Sequence, residues 1–235
     1  MVLALYLAQA ATEMAGNPKP ENLAYLACHF SPGGKGLSNL PPDLPPGAML
    51  ILDDSAPMDG HDPELIRKQL SDFILERQCE ALLLDFQRRD VPGQRELANL
   101  LCSSLPCPVG VSEIYAEGLP CPVFLPPVPP DMPVSEYLKL WQGREIWLEA
   151  ALDGIRLTLR ESGCTAETLW DFPEDGQCDK KLHCHYTIKT SADSAVFHLW
   201  RTKTDLDDLL LEAESKGVTK AVGLWQELKQ SENSQ

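Results

Sequence analysis

Residues 80 to 87 read Glu-Ala-Leu-Leu-Leu-Asp-Phe-Gln and form the most informative segment of the sequence. In a β-strand every second side chain points the same way, which puts Leu83, Asp85 and Gln87 on one face. The intervening residues are all apolar and are suited to packing against helices. The stretch therefore predicts a buried strand that carries Asp85 and Gln87 at its carboxyl end.

Further short runs rich in Val, Ile and Leu lie on both sides of this strand, and the first several alternate with helix-like stretches. The predicted strands are Val2–Ala8, Leu23–Phe30, Met49–Asp53, Ala81–Phe86, Pro108–Glu113, Pro122–Pro126, Ile146–Ala151 and Lys220–Trp225. Eight parallel strands joined by helices close a barrel. We therefore predict an α/β fold of the (β/α)8 TIM type, closed or distorted, since Pro122–Pro126 is short and flanked by prolines.

The helix pattern supports this topology and also marks an insertion. Pro63–Arg77 has a capping Asp62, a proline at its first position and an apolar stripe. The βα alternation breaks over Gly154–Thr202, where His185–Lys189 and Ala195–Arg201 alternate like the arms of a hairpin. We expect a single barrel domain over the whole chain, with 154–202 as an inserted β-hairpin before the last helix.

Charge and cysteine content restrict the partners and the compartment. The 35 acidic and 20 basic side chains give a net charge of −15, which disfavours nucleic acid and anionic membranes. No apolar run approaches the ~18 residues of a membrane helix. The eight cysteines are scattered and the first residues lack a basic signal region, so a reduced, cytoplasmic protein is expected. The sequence leaves the oligomeric state open.

The end of the strand at Asp85 is the first candidate site. Barrel enzymes place their chemistry at the carboxyl ends of the strands, so Asp85 and Gln87 are candidate catalytic residues. The alternative is that Asp85 only caps the turn that follows.

Here the chain resembles the chitinase-like barrels of glycoside hydrolase family 18, whose fourth strand ends in the pattern D-G-x-D-x-D-x-E. The order of parts is similar as well, and the resemblance covers most of the chain as topology but only short segments as motif. The matching segments are Ala4-Leu-Tyr6, Asn22-Leu-Ala-Tyr25, Leu50-Ile-Leu-Asp53, the Asp85 strand and Ala221-Val-Gly-Leu-Trp225.

The resemblance implies a site that has lost its usual acid. Family 18 enzymes use the last Glu of the pattern as general acid and the preceding Asp to position the substrate acetamido group. Those positions are Gln87 and Asp85 here, and the aspartate before them is replaced by Leu83. A carboxamide cannot donate a proton as a general acid, so only the role of Asp85 is carried over.

Another carboxylate could replace the missing acid. The acids near predicted strand ends are Asp53, Asp54, Glu113, Glu117 and Glu149. Strand alternation pairs Glu113 with Tyr115 and Glu149 with Trp147 on common faces. The competing interpretation is that each is an exposed loop acid.

Aromatic side chains at the mouth would favour a sugar ligand, because sugar rings stack on flat apolar faces. The candidates are Tyr6, Tyr25, Tyr115, Trp147 and Trp225. Trp225 is favoured because Ala221 and Gly223, expected on its face, are small and would leave room in the lumen. Simple filling of the core is the alternative for each of them.

No cofactor or metal is expected. The stretch Cys178-Asp-Lys-Lys-Leu-His183-Cys184-His185 gathers soft ligands, but its spacing matches no standard zinc pattern. The acids after Asp53 fit a turn and a helix cap better than a cation site.

Three functions remain open. The first is a carbohydrate-binding barrel, with an oligosaccharide or small polar ligand, that has lost the usual acid. The second is an active hydrolase with Asp85 and a relocated carboxylate from Asp54, Glu113 or Glu149. The third is a protein-interaction scaffold that uses the Pro-rich loops and the 154–202 insertion.

Overall fold

The computed structural model describes residues 2–17, 19–34 and 36–230. Its strands in chain order are β1 Ala4–Gln9, β2 Leu23–Phe30, β3 Leu37–Ser38, β4 Met49–Asp53, β5 Ala81–Asp85, β6 Val109–Ser112, β7 Val123–Leu125, β8 Ile146–Glu149, β9 Gly154–Arg160, β10 Gly163–Thr168, β11 Gln177–Asp179, β12 Cys184–Thr190, β13 Ser194–Trp200 and β14 Val218–Leu224. Parallel pairing runs β1-β14-β8-β7-β6-β5-β4-β2, and β1 also pairs with β2. This last pairing closes the eight-stranded barrel and confirms the predicted fold class.

The helices cover the outside of the barrel. They are α1 Ala11–Met14, α2 Pro63–Arg77, α3 Gln94–Ser104, α4 Glu113–Ala116, α5 Val134–Tyr137, α6 Lys203–Ser215 and α7 Trp225–Gln230, and a 3-10 turn spans Leu138–Trp141. Helix α2 has the predicted bounds, and Asp62 caps it by accepting a hydrogen bond from the Glu64 amide at 3.0 Å. None of these helices is long and apolar enough to cross a membrane.

The two faces of the strands separate into two apolar layers, as the alternation at residues 80–87 predicts. Leu82, Leu84 and Phe86 belong to the layer between barrel and helices, while Leu83 lies in the lumen. Asp85, two residues after Leu83, therefore also faces the lumen, at its carboxyl end.

A tryptophan fills the middle of the lumen. Trp147 is completely buried, and a Cβ placed on Gly110 would lie 2.2 Å from its Cε3 atom. Position 110 therefore needs a glycine because Trp147 packs directly against its backbone, and not because the chain turns there.

The insertion has the predicted extent but contains more strands than the predicted hairpin. The expected hairpin is β12 and β13, but β9, β10 and β11 join it in a five-stranded antiparallel sheet of order β10-β9-β13-β12-β11. Every residue of β10 is exposed, so that strand shows no apolar alternation from which it could be recognised.

The last barrel strand also differs from its prediction. It begins at Val218 rather than Lys220 and ends at Leu224, because Trp225 opens α7.

All eight cysteines lie in described segments and are free thiols, with Cys164 and Cys178 exposed.

Candidate functional site

Four strand ends carry polar side chains to one mouth of the barrel. Asp53 ends β4, Asp85 ends β5, Ser112 ends β6 and Glu149 ends β8. Asp53 and Asp85 are direct neighbours in the β4–β5 register. The Ser112 hydroxyl accepts a hydrogen bond from the Phe86 amide at 3.0 Å and so fixes the chain just after Asp85. The mouth is thus built on rigid strand ends.

A hydrogen bond from Gln87 holds the side chain of Asp85. The Gln87 carboxamide donates a hydrogen bond from Nε2 to Oδ1 of Asp85. Burial raises the pKa of Asp85, and the charges of Asp53 and Asp54 raise it further, while the hydrogen bond from Gln87 opposes both effects. Gln87 therefore supports the ionised form of Asp85.

Glu149 is the most perturbed carboxyl group at the mouth. Burial, followed by the charges of Asp85, Glu227 and Asp153, raises its pKa from 4.5 to about 7. A carboxyl group with that pKa is partly protonated at neutral pH. Glu149 can accordingly act as a proton donor or as a neutral hydrogen-bond donor.

A small cavity of about 160 Å³ opens at the mouth. Its lining includes Gln87, Arg89, Ser112, Glu113, Phe124 and Glu149. Typical small-molecule sites measure about 300–1,000 Å³, so this cavity has room for roughly one sugar ring or part of one. Phe124 supplies an apolar wall, and the other five offer polar groups.

Asp53, the last residue of β4, and Asp54, the residue after it, make different contacts. Asp54 is buried and accepts hydrogen bonds from the amides of Gln87 (3.0 Å) and Arg88 (2.9 Å) and from the Gln94 side chain (3.0 Å). Asp53 accepts from the Ser55 amide at 2.8 Å, which closes the turn. Asp54 therefore anchors the loop that carries Gln87.

The predicted pairing of Glu113 with Tyr115 is wrong. The chain turns into α4 at Glu113, so Glu113 lines the mouth cavity while Tyr115 is buried in the outer layer. The Tyr115 hydroxyl donates to the Arg88 carbonyl oxygen at 2.6 Å. Glu117, the other loop acid considered, is exposed. The predicted pairing of Glu149 with Trp147 on the lumen face of β8 is consistent with the two-layer packing.

Four of the predicted aromatic residues offer no free face at the mouth. Tyr6 and Trp147 are fully buried in the lumen core, where the Trp147 indole donates to Glu145 at 3.1 Å. Tyr25 and Tyr115 point into the outer layer, and Tyr25 donates to the Asn39 carbonyl oxygen at 2.8 Å. These side chains fill the core, which was the alternative interpretation.

Trp225 is also placed differently from the prediction. Ala221 packs in the outer layer, whereas Val222 packs in the lumen. The face of β14 with the small residue Ala221, which was expected to line the lumen, therefore faces the outer layer. Trp225 is half-buried at the start of α7, and Lys229 Nζ lies 5.0 Å from the centroid of its ring.

Several mouth residues were not found from the sequence, among them Arg89, which lines the cavity. Ser112 is the last residue of β6, and Phe124 is the residue before the end of β7. Both lie on the lumen face of their strands, and the alternation of side chains along each strand is the signal that could have identified them. Asp153 and Glu227 act on Glu149 from the segments that follow β8 and β14. Asp153 lies only four residues after Glu149, whereas Glu227 comes near it because β14 pairs with β8.

No protein-family model matches the chain, and no curated protein matches it. Solved structures do. A family GH18 chitinase from Cycas revoluta in complex with (GlcNAc)3 aligns with a TM-score of 0.59 at 11% identity, covering 97% of this chain and 95% of that one. The spore cortex-lytic enzyme SleL of Bacillus cereus aligns with a TM-score of 0.54 at 11% identity, covering 95% and 70%.

A third neighbour is the chitinase-like agglutinin RobpsCRA of Robinia pseudoacacia, with a TM-score of 0.56 at 9% identity over 96% of this chain and 97% of that one. The chain therefore has the (β/α)8 barrel fold of these structures, the family GH18 chitinase among them, at sequence identities of only 9–11%.

Proposed function

We propose that this barrel binds an oligosaccharide of the N-acetylglucosamine type at its mouth and does not hydrolyse it. The observation that carries the proposal is the Gln87–Asp85 hydrogen bond. A carboxamide stands where the resemblance to family 18 requires a general acid, and it is tied to the one carboxylate of the pattern that remains. The strand thus retains a substrate-positioning group without a proton donor.

The mouth has the chemistry that sugar binding requires. Asp85 and Glu113 can accept hydrogen bonds from hydroxyl or acetamido groups, and Arg89 can donate them. Phe124 gives the cavity an apolar wall, against which a ring face can pack. The cavity volume of about 160 Å³ limits the enclosed part of the ligand to a terminal residue, with further residues lying over the loops.

The structural neighbours support both halves of this proposal. The Cycas chitinase binds (GlcNAc)3, and the Robinia neighbour is a chitinase-like agglutinin. The same fold thus occurs in a glycosidase and in an agglutinin.

A second candidate function rests on Glu149. Its pKa of about 7 makes it a proton donor at neutral pH, and it lines the same cavity as Gln87. An active hydrolase would then use Glu149 as acid and Asp85 as its partner. The interaction scaffold, the third hypothesis, is favoured by a filled and closed mouth, whereas a polar cavity opens there.

A binding titration tests the proposal. Purified protein is titrated calorimetrically with N-acetylglucosamine oligomers, in parallel with Asp85→Ala and with Asp193→Ala, an exposed turn acid in the β12–β13 hairpin. We expect saturable binding by the unaltered protein and the Asp193 variant, and at least about tenfold weaker binding by Asp85→Ala. Equal affinity in all three would remove Asp85 from the site, and turnover of the oligomer would favour the Glu149 hydrolase.

A further inference from the structure

One group of metal-ligating side chains assembles in the described part of the chain, away from the barrel mouth. Cys178 of β11 and His185 of β12 are direct cross-strand partners, so their side chains share a face of the inserted sheet. Asp205, in the first turn of α6, lies against that face. One ligand atom from each of the three lies within 4.8 Å of the other two.

Asp205 is held in position by its role as a helix-capping residue. Its Oδ2 accepts hydrogen bonds from the Thr202 amide (2.8 Å), the Thr202 hydroxyl (2.7 Å) and His185 Nδ1 (2.7 Å). Its Oδ1 faces the Cys178 sulfur at 4.0 Å. The carboxylate is therefore fixed before any ion arrives, with one oxygen turned toward the thiol.

We propose that Cys178, His185 and Asp205 bind a zinc ion, with its fourth coordination position open to solvent. A thiolate, an imidazole and a carboxylate together are a zinc ligand set. Calcium and magnesium take oxygen ligands almost exclusively, and the thiol and the imidazole therefore disfavour both. Because Cys178 is exposed, a water molecule can complete the tetrahedron.

The distances suit an ion of this size. Zinc bonds of about 2.0 Å to nitrogen and oxygen and about 2.3 Å to sulfur place the ligand atoms of a tetrahedron roughly 3.3–3.6 Å apart. In the structure one Asp205 oxygen, Oδ1, lies 4.0 Å from the Cys178 sulfur, and the ligand atoms of the group lie within 4.8 Å of one another. The 2.7 Å contact of His185 Nδ1 with Asp205 Oδ2 is a hydrogen bond that the ion would replace. Small side-chain rotations bring all three atoms into the coordination range.

The surrounding charge favours a cation. Asp179 and Asp208 both lie close enough to act electrostatically on the Cys178 thiol, and only Lys180 opposes them. A divalent ion would relieve the mutual repulsion of these carboxylates with Asp205.

The ion would join parts of the chain that are distant in sequence. Cys178 and His185 belong to the insertion, whereas Asp205 begins the helix that leads back into the barrel through β14. Zinc binding would therefore tie the inserted sheet to α6 and raise the melting temperature of the protein. The three ligands do not line the cavity at the mouth, so either proposal can fail without the other.

Cobalt(II) is the probe of choice, because it replaces zinc and gives absorption bands that report ligand type and geometry. The full-length chain, freed of tags and metals and kept reduced with a phosphine, is titrated with Co²⁺. We expect a thiolate-to-cobalt charge-transfer band and strong tetrahedral d–d bands that saturate at one equivalent and disappear on addition of Zn²⁺. Zinc should also raise the melting temperature.

Variants assign the ligands. Cys178→Ser should abolish the charge-transfer band, and His185→Gln should weaken zinc binding at least about tenfold, since even outer-sphere partners of zinc ligands contribute that much. Cys164→Ser, another exposed cysteine of the same sheet, and His198→Gln of β13 are matched controls and should bind like the unaltered protein. Circular dichroism checks that each variant is folded.

The proposal is overturned if the folded protein gives no charge-transfer band, or if the band persists in Cys178→Ser. Loss of the band in Cys164→Ser would place the thiolate ligand elsewhere and equally contradict it.

Discussion

The Gln87 carboxamide donates a hydrogen bond to the Asp85 carboxylate at the end of β5. This contact favours the ionised form of a carboxylate whose pKa is raised by burial and by Asp53 and Asp54. A glutamate at position 87 could not make the same contact while ionised. The side chain at position 87 therefore distinguishes the proposed sugar-binding site from a hydrolytic one.

Replacing Gln87 by Glu should raise the pKa of Asp85. The change removes a hydrogen-bond donor from the carboxylate and adds a like charge beside it, and both effects favour the protonated form. We expect a clear increase, measured by carboxyl-carbon NMR titration. Gln142→Glu, at an exposed position, is the control. An unchanged pKa in Gln87→Glu would show that the two side chains do not interact in solution.

Glu149→Gln should stabilise the protein at high pH. The pKa of Glu149 is about 7 in the fold against 4.5 ordinarily, so the folded state holds the proton more tightly than the unfolded state. Its contribution to stability is therefore largest below pH 4.5 and is lost as the pH rises to about 7. At pH near 8 the variant should be more stable by about 1–3 kcal/mol, with little difference near pH 4.

Urea denaturation at the two pH values measures this difference. Glu161→Gln, in the exposed β9–β10 turn, serves as control and should show no such pH dependence. A Glu149→Gln variant that is equally or less stable at the higher pH would contradict the burial of an ionisable carboxyl group at the mouth.

Asp54→Ala should loosen the loop that carries Gln87. Asp54 accepts three hydrogen bonds, from the Gln87 and Arg88 amides and from the buried Gln94 side chain. Removing it leaves these donors unpaired, and we expect a loss of about 2–4 kcal/mol with faster hydrogen exchange at both amides. Asp53→Ala, which loses one exposed contact, should cost less than about 1 kcal/mol. Equal effects of the two changes would refute the anchoring role.

Gly110→Ala should damage the lumen core. The new methyl group would lie 2.2 Å from Trp147 Cε3, so the indole or the strand must move. Overpacking of this kind costs about 1–3 kcal/mol, measurable by thermal or urea denaturation. Gly16→Ala meets no atom within 4 Å and is the control. A fully stable Gly110→Ala protein would show that Trp147 does not plug the barrel.

The barrel could be predicted because its strands are short apolar runs with regular spacing. Two of them, Leu23–Phe30 and Met49–Asp53, have the predicted bounds. The insertion was only partly predicted, since β10 is exposed throughout and has no apolar face to reveal it. Apolar alternation finds strands that bury one face, and it cannot find strands that bury neither.

The site could be predicted only where one strand determines it. Asp85 and its lumen-facing direction follow from the alternation around Leu83. Tyr25 was misplaced because Leu23–Leu26 is apolar on both faces, so the sequence does not say which face is the lumen. The sequence brings Cys178 and His185 together, but the third proposed zinc ligand, Asp205, could not be found from spacing, because it reaches them only through the packing of α6.

The most direct test of sugar binding without hydrolysis is one sample followed by two readouts. The protein is titrated with (GlcNAc)4 in a calorimeter at neutral pH, and the recovered sugar is then sized by mass spectrometry after prolonged incubation. We predict saturable one-site binding and intact tetrasaccharide. Absence of binding, or recovery of shorter oligomers that are not formed by Glu149→Gln, would contradict this function.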